Sequence, residues 1–224
     1  MYQHRDVQGH PLPYGIGKMV CVGRSYREHA LELNNPIPSE PLLFIKPASS
    51  LVSVTAPLVL PSGQGAVHHE LEVALLIGQR LCHADATHAL ASIVGVGLAL
   101  DLTLRDVQDQ LKAQGHPWER AKAFDGSCPI SGFVPRTSFA ELSALDFSLR
   151  VNDQLRQVGN TRDLMWPIGQ LLALMSQCFT LEPGDIVLTG TPKGVAELKE
   201  QDSLELQLAG HFSINTQVSA AVAV

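Results

Sequence analysis

A pair of glutamates leading directly into an apolar run constrains this chain more than any other feature. Residues 68–77 read HHELEVALLI, a pattern that predicts a strand entering the protein core over 70–77. Side chains alternate along a strand, so Glu70 and Glu72 share one face with Cα atoms about 6.6 Å apart. Two buried carboxylates repel each other, so one must be protonated or a cation must lie between them. The alternative is a solvated pair at an exposed strand end, and this segment alone leaves both possibilities open.

A third carboxylate follows the next apolar run. Residues 93–100 predict a buried strand that stops at Asp101, just before a predicted helix. Taken alone, Asp101 is most simply a residue leading into that helix. Together with Glu70 and Glu72 it would form an all-oxygen site, which suits Mg²⁺, Mn²⁺ or Ca²⁺ better than zinc.

Several other polar residues have spacings that chemistry could use. Arg105 and Gln108 are three apart in the predicted helix and could hold a substrate carboxylate, although a solvent-facing helix has the same pattern. His29 and Glu32 are also three apart, which lets a carboxylate orient an imidazole as a general base. A single lysine such as Lys122 is usually solvated and carries no signal alone.

Charge and hydropathy narrow the possible partners. The chain of 224 residues has 16 Lys and Arg against 22 Asp and Glu, and no basic cluster, which argues against nucleic acid. Its longest central apolar stretch, 89–100, is shorter than the roughly 20 residues of a membrane span.

No signal or transit peptide is visible at the start, which predicts a cytoplasmic protein. Charged residues make up only 17%, as suits a compact domain that buries area in an oligomer.

The four cysteines predict no disulfide framework. They are far apart in the sequence and form no CxxC pair, as expected of reduced, mostly buried thiols in a cytosolic protein. They are Cys21, Cys82, Cys128 and Cys178.

Predicted strands outnumber helices and do not alternate regularly with them, which favours an α+β fold in a single domain. In the helix over 103–115, Thr103 is the expected N-cap, Asp106 favours the helix dipole, and Gly115 closes the end. The other predicted β segments are a strand at 18–22, short runs punctuated by proline at 41–47 and 51–61, a strand at 147–155, a strand and turn at 184–192, and a hairpin over 203–218. The other predicted helices are one at 25–33, stopped at 34–36 and followed by a loop at 34–41, and one at 165–179 with Pro167 near its first turn.

Four long motifs, in order, resemble the fumarylacetoacetate hydrolase family. They read HHELEVALLIG, GLALDLTLRDVQ, GHPWERAKAFDGSCP and GDIVLTGTPKGV, and VGRSYREHALELN and EPLLFIKP match earlier segments of the family. The resemblance extends from Lys18 to the C-terminus and is strongest to the single-domain acylpyruvate hydrolases, a branch that includes oxaloacetate-processing enzymes. It implies a mixed β-roll that usually dimerises, with a short segment at 1–17 before one catalytic domain at 18–224.

The resemblance also implies roles for individual residues. Glu70, Glu72 and Asp101 match the family's Mg²⁺ or Mn²⁺ ligands. His29 and Glu32 match a dyad on a mobile lid that activates water, and Lys122 matches a lysine that stabilises an enolate. The substrate-contacting positions are Arg24, Arg105, Gln108 and Thr191, with the backbone around Gly190.

These roles imply a metal-dependent hydrolase that cleaves the C–C bond of an acylpyruvate or fumarylpyruvate to give pyruvate and a carboxylic acid, with the loop at 34–41 as a hinge for the lid. Three alternatives remain. They are an oxaloacetate decarboxylase or tautomerase, an isomerase or decarboxylase of 2-hydroxyhepta-2,4-diene-1,7-dioate, and a non-catalytic oligomeric metal-binding protein. The extra N-terminal domain and fourth acidic ligand of the larger family members have no match here, which points away from fumarylacetoacetate as substrate.

Overall fold

The structure is a computed structural model that describes residues 2–32 and 38–219, apart from the side chains at positions 29 and 30. Among these residues, no helix combines the length and apolar character needed to span a bilayer. Short 3₁₀ turns occupy Ala48–Ser50, Arg136–Ser138 and Thr161–Asp163. The α-helices are α1 (Arg27–Glu32), α2 (Ala86–Ala91), α3 (Arg105–Gln114), α4 (Glu119–Lys122) and α5 (Ile168–Cys178).

The strands of the described residues form three sheets, two of mixed direction and one antiparallel, which agrees with the predicted α+β class. The largest sheet runs in the order β2 (Leu42–Lys46), β1 (Met19–Gly23), β13 (Ile186–Leu188), β6 (Leu71–Ile77), β7 (Ile93–Leu100), β9 (Cys128–Ile130) and β3 (Leu51–Ser53), with β10 (Val134–Pro135) also paired to β7. A second sheet contains β12 (Gln154–Asn160), β11 (Asp146–Val151), β15 (Ser203–Leu208), β16 (Phe212–Ser219) and β4 (Leu58–Val59). A third contains β14 (Ala196–Glu197), β5 (Val67–His69) and β8 (Thr103–Leu104).

The apolar runs that the sequence placed in the core form the centre of the largest sheet. Every residue of β6 is buried, and so is all of β7 except one position. The two strands pair antiparallel, with Leu71 opposite Leu100 at one end of the ladder. That register places the next residues, Glu70 and Asp101, side by side where both strands leave the core.

Two helix predictions needed correction. Thr103 does not cap α3, because Thr103 lies in β8 and its hydroxyl donates to the Asp101 carbonyl at 3.0 Å. The helix begins at Arg105, and Gly115 ends it in the left-handed conformation as predicted. The helix predicted over 25–33 begins only at residue 27, since Tyr26 forms a strand-like bridge. Its predicted stop at 34–36 lies outside the described residues.

Two strand predictions were also imprecise. The strand predicted over 147–155 is a hairpin, because Asn152 and Asp153 both have positive φ angles, 50° and 60°, and turn the chain between β11 and β12. The strand predicted over 70–77 begins at Leu71, since Glu70 lies in the break between β5 and β6. The helix with Pro167 at its start and the hairpin over 203–218 are confirmed.

The expectation of mostly buried cysteines holds for only two of the four. Cys21 and Cys128 lie in central strands and are buried. Cys82 and Cys178 are exposed, because the first lies in a bend before α2 and the second is the last residue of α5.

Candidate functional site

Three carboxylates meet where β6 and β7 leave the core. Glu70, Glu72 and Asp101 are all buried, and each offers an oxygen within 4.8 Å of the other two. The backbone fixes the cluster, since the Asp101 amide donates to the Glu70 carbonyl at 2.8 Å. The Glu72 carboxylate accepts a hydrogen bond from the Gly190 amide at 2.6 Å. An exposed strand end is therefore the wrong interpretation of this glutamate pair.

Three cationic side chains surround the carboxylates. Lys122 Nζ donates to Glu70 at 2.7 Å and to Asp101 at 2.5 Å, and Arg105 donates to the other Glu70 oxygen at 2.5 Å. Lys46 Nζ lies 2.8 Å from the remaining Asp101 oxygen. The three cations therefore pair with Glu70 and Asp101, and no cation among the described residues forms an ion pair with Glu72.

This oxygen cluster fits a divalent cation. Burial raises the pKa of Glu72 well above its usual range, and the negative charges of Asp101 and Glu70 raise it further. A divalent cation among the three carboxylates would stabilise their ionised forms and so lower the pKa of Glu72 again. An all-oxygen donor set suits a hard ion. Burial alone lowers the pKa of Lys122, but Asp101 and Glu70 outweigh it and raise the pKa above the ordinary value, which keeps the ammonium charged.

A cavity opens outward from the carboxylates. Helix α3 forms one side of it, and Arg105 donates to Gln108 on the same helix face at 2.6 Å. Gln108 is buried, so this face of α3 borders the cavity and is not a solvated surface. The remaining lining residues include Arg24, Phe44, Lys112, Trp118 and Thr191.

The loop after β13 closes the inner end of the cavity. Gly190 has φ = 95°, and a Cβ there would lie 2.6 Å from the Ser25 Cβ, so only glycine brings its amide to Glu72. Thr191 Oγ1 donates to the Leu71 carbonyl at 2.8 Å, which holds its side chain at the cavity wall. Both residues predicted in this loop therefore reach the site.

Two residues that the sequence analysis did not single out support this arrangement. Lys46 and the buried Phe44 are two residues apart in β2 and therefore lie on the same face of the strand. This alternation is the sequence pattern that could have predicted a buried side chain at Lys46. Gln157 comes from β12; its carbonyl oxygen accepts from the Leu71 amide at 3.0 Å and its amide group donates to Thr191 at 2.8 Å. It also contacts His69, which is 88 residues away, so no local pattern could identify it.

Helix α1 is attached to the same loop. The Glu32 carboxylate accepts from the Gly194 amide, at 3.0 Å and 3.2 Å to its two oxygens. This contact connects α1 to the segment that carries Gly190 and Thr191. The His29 side chain and residues 34–37 of the proposed hinge lie outside the described residues, so the His29–Glu32 dyad stays a prediction.

Comparison with known proteins agrees with this geometry. Residues 18–219 match the family model described as fumarylacetoacetate (FAA) hydrolase C-terminal. Oxaloacetate tautomerase YcgM of Escherichia coli (strain K12) is 49% identical over 219 residues, which cover 97% of this chain and 100% of that protein. The mitochondrial oxaloacetate tautomerase FAHD1 of Bos taurus is 41% identical over 200 residues, covering 89% of this chain and 90% of the relative.

A solved structure adds a bound metal to the comparison. Fumarylpyruvate hydrolase from Pseudomonas aeruginosa, in complex with Mn²⁺ and pyruvate, superposes with a TM-score of 0.92 at 31% identity. The match covers 98% of this chain and 96% of that one. Sequence, fold and carboxylate cluster thus agree, and the chain belongs to the fumarylacetoacetate hydrolase family.

Proposed function

We propose that this protein is a divalent-metal-dependent oxaloacetate tautomerase, which interconverts the keto and enol forms of that dicarboxylate. Hydrolysis of an acylpyruvate was the main expectation from the sequence, with oxaloacetate chemistry as the alternative. Oxaloacetate tautomerases at 49% and 41% identity favour the alternative. Mg²⁺ is the proposed metal, with Mn²⁺ able to replace it, since both accept oxygen ligands.

The charge balance of the site is the observation that carries this proposal. With a divalent cation bound, all three carboxylates would be ionised, and the charges of Glu70, Glu72 and Asp101 would be balanced by those of Lys46, Lys122 and Arg105. A divalent cation bound to the carboxylates would leave two uncompensated positive charges in a buried site. Such a site favours a ligand with two negative charges, which oxaloacetate and fumarylpyruvate carry at neutral pH and a simple acylpyruvate does not. Between these two dianions, the identity to oxaloacetate tautomerases favours oxaloacetate.

Residues of this chain can orient the substrate. The Arg105 Nε group is buried and has no hydrogen-bond partner among the described residues, so it is an available donor for a substrate carboxylate. Gln108 is held beside it by the contact with Arg105 and can donate its amide N–H to a substrate oxygen. When bound, the metal would act as a Lewis acid that polarises the 2-oxo group and makes the C3 protons more acidic.

Tautomerisation then needs one proton to leave C3 and one to reach the C2 oxygen, with no other bond broken. We assign proton removal to His29, with Glu32 orienting its ring, which is the role that their spacing predicts. Lys122 Nζ can stabilise the negative charge that develops on the C2 oxygen. The proton taken up by His29 then passes to the C2 oxygen, which gives the enol and restores neutral His29, and the same steps in reverse return the keto form.

Hydrolysis of an acylpyruvate is the second candidate. The same residues could catalyse hydrolysis if His29 deprotonated a water molecule instead of the substrate. The similarity in fold to fumarylpyruvate hydrolase supports this second candidate. The two reactions differ in what they release, since hydrolysis produces pyruvate and tautomerisation releases nothing.

Two parallel assays with the Mg²⁺-loaded protein separate these functions. The first follows the ultraviolet absorbance of enol-oxaloacetate, and the second follows pyruvate release from acetylpyruvate and from the dianion fumarylpyruvate. The proposal expects rapid decay of the enol signal and slow or undetectable release of pyruvate from all three compounds. Pyruvate release from acetylpyruvate or fumarylpyruvate without accelerated tautomerisation would replace the proposal with the hydrolase, and pyruvate release from oxaloacetate would indicate a decarboxylase.

A further inference from the structure

The outer end of the cavity carries two cations that the proposed mechanism does not use. Lys112 lies on α3 one turn beyond Gln108, and Arg24 follows the end of β1. Both line the same cavity as the carboxylate cluster. Their position at its mouth raises the question of what anion they bind.

Helix geometry places Lys112 on the same face as the inner residues. Arg105, Gln108 and Lys112 are at positions i, i+3 and i+7, which lie in one stripe along an α-helix. Arg105 and Lys112 are about 10 Å apart along the axis. Side-chain exposure is 11% at Arg105, beside the carboxylates, and 25% at Lys112, with the buried Gln108 between them, so the far end of the stripe is the more exposed one.

The two outer cations lack strong partners within the protein. The only carboxylate within 4.0 Å of Lys112 among the described residues is Asp109, at 3.6 Å, and that side chain is 65% exposed. No carboxylate in the described part of the chain pairs with Arg24. A surface pair such as Lys112–Asp109 contributes little, so both cations are available to a ligand.

The surrounding structure holds these cations in place in spite of their repulsion. Lys112 Nζ lies 5.8 Å from the centre of the Trp118 ring, and partial burial, with the positive charges of Arg105 and Arg24, lowers its pKa. Arg24 adopts φ = 58°, a left-handed conformation that is costly for a residue with a side chain. An anion between the two cations would offset both the repulsion and the partial desolvation.

We propose that Lys112, beside Arg24, which the family resemblance already implies contacts the substrate, binds the second carboxylate of a dicarboxylic 2-oxo acid, so that the two cations select dianions over monoanions. The inference rests on the proposed function, in which the inner end of the cavity holds the 2-oxo acid group. It identifies Lys112 as a specificity-determining residue. Residues of the α3 stripe then bind both ends of one substrate. Arg105 contacts the 2-oxo acid group, and Lys112 contacts the distal carboxylate.

A pair of substrates that differ only in the distal charge tests this. The variant is Lys112→Gln, the substrates are oxaloacetate and its 4-ethyl monoester, and tautomerisation of each is measured with the Mg²⁺-loaded protein. For oxaloacetate we expect kcat/KM to fall about 10- to 100-fold, mostly through KM, as for the loss of a hydrogen bond to a charged group. For the monoester we expect a change of less than about 2-fold.

Matched variants control for charge and folding. Lys112→Arg should keep most of the preference for oxaloacetate, and Arg24→Gln should reduce it in the same direction as Lys112→Gln. Lys199→Gln removes an exposed lysine away from the cavity and should leave both substrates unaffected. Equal losses for the two substrates in Lys112→Gln would overturn the inference and leave the tautomerase proposal standing.

Calorimetric binding separates the inference from the reaction itself. If the wild-type protein tautomerises neither compound, the proposed function fails, and titration of the Mg²⁺-loaded protein with both compounds decides the inference. Tighter binding of oxaloacetate in the wild type, with the difference lost in Lys112→Gln, supports it. Equal affinity for the two compounds in the wild type, or no detectable binding of either, contradicts it.

Discussion

Lys46 Nζ lies 2.8 Å from Asp101 Oδ1, with both side chains at most 1% exposed. The same ammonium donates to the Lys122 carbonyl and to the carbonyl and hydroxyl of Ser127. One buried lysine therefore fixes a candidate metal ligand and the segment that carries Lys122. Its role is structural, because Lys46 does not line the cavity.

Removing this lysine should destabilise the protein. Lys46→Met leaves Asp101 with a buried, partly uncompensated charge, so we expect the free energy of unfolding to fall by about 3 kcal/mol. Urea unfolding of the variant and the wild type measures this difference in the free energy of unfolding. As a matched control, Arg80→Ala breaks the exposed ion pair with Glu182 and should cost no more than about 0.5 kcal/mol. A cost below about 1 kcal/mol for Lys46→Met would contradict the assigned role.

Metal binding and turnover should be separable by substitution. Asp101→Asn removes a candidate ligand charge, so Mg²⁺ affinity measured by calorimetry should fall at least about 10-fold, and turnover should fall with it. Glu32→Gln should keep the metal affinity and lower turnover, because Glu32 is assigned to orient His29 and not to bind the metal. If Glu32→Gln lost metal affinity to the same extent as Asp101→Asn, the assignment of Glu32 to orienting His29 would be contradicted.

Gln157 should prove a positioning residue for the loop after β13. Its side chain contacts Leu71, Thr191, His69 and Pro192, so Gln157→Leu leaves several buried polar groups unpaired. We expect a loss of about 2–4 kcal/mol in stability and a lower kcat. Gln157→Glu also loses the donor to the Pro192 carbonyl and buries a carboxylate there, so it should lose at least as much stability as Gln157→Leu. Near wild-type stability in either variant would show that these hydrogen bonds do not hold the loop.

How far the sequence could predict this site depends on the range of each contact. Glu70, Glu72 and Asp101 were identifiable because each follows or precedes an apolar run, and the ends of buried strands are local features. That Arg105 faces the cavity became clear only from the fold, because a solvated helix has the same spacing. Lys46 reaches Asp101 across 55 residues, and such a pairing has no periodic signature.

Errors in the element predictions have a similar origin. Thr103 has the side chain of a good N-cap, but the pairing of β5 with β8 takes residues 103 and 104 into a strand. Tertiary pairing therefore overrode a local preference. The Asn152–Asp153 turn was different, since both residue types tolerate positive φ and the turn signal was present in the sequence.

The buried His4 should make stability depend on pH. Its Nε2 donates to the Gly184 carbonyl at 3.0 Å, and burial lowers its pKa below the usual 6.5. As pH falls through about 6.5, the unfolded chain binds a proton that the folded chain does not, so the free energy of unfolding decreases. Urea unfolding between about pH 7.5 and pH 5.5 should show a smaller decrease for His4→Gln than for the wild type. An unchanged pH dependence would contradict this assignment.

Thiol reactivity should divide the cysteines into two pairs. Cys82 and Cys178 are exposed, whereas Cys21 and Cys128 are buried and burial raises the pKa of Cys128 to about 12. A thiol-specific reagent should therefore modify two cysteines rapidly in the native protein and all four in denaturant. The variant Cys82→Ser should reduce the rapid phase to one. Fast modification of all four in the native state would contradict the packing around β1 and β9.

Metal dependence of oxaloacetate tautomerisation tests the central claim most directly. The protein is stripped with EDTA, and decay of the enol absorbance is followed before and after Mg²⁺ is returned, with Asp101→Asn measured alongside. We predict the uncatalysed rate for the stripped protein, full recovery with Mg²⁺, and no comparable recovery in the variant. Undiminished tautomerisation without metal, or full recovery in Asp101→Asn, would contradict the assignment of Glu70, Glu72 and Asp101 as a metal site that drives the reaction.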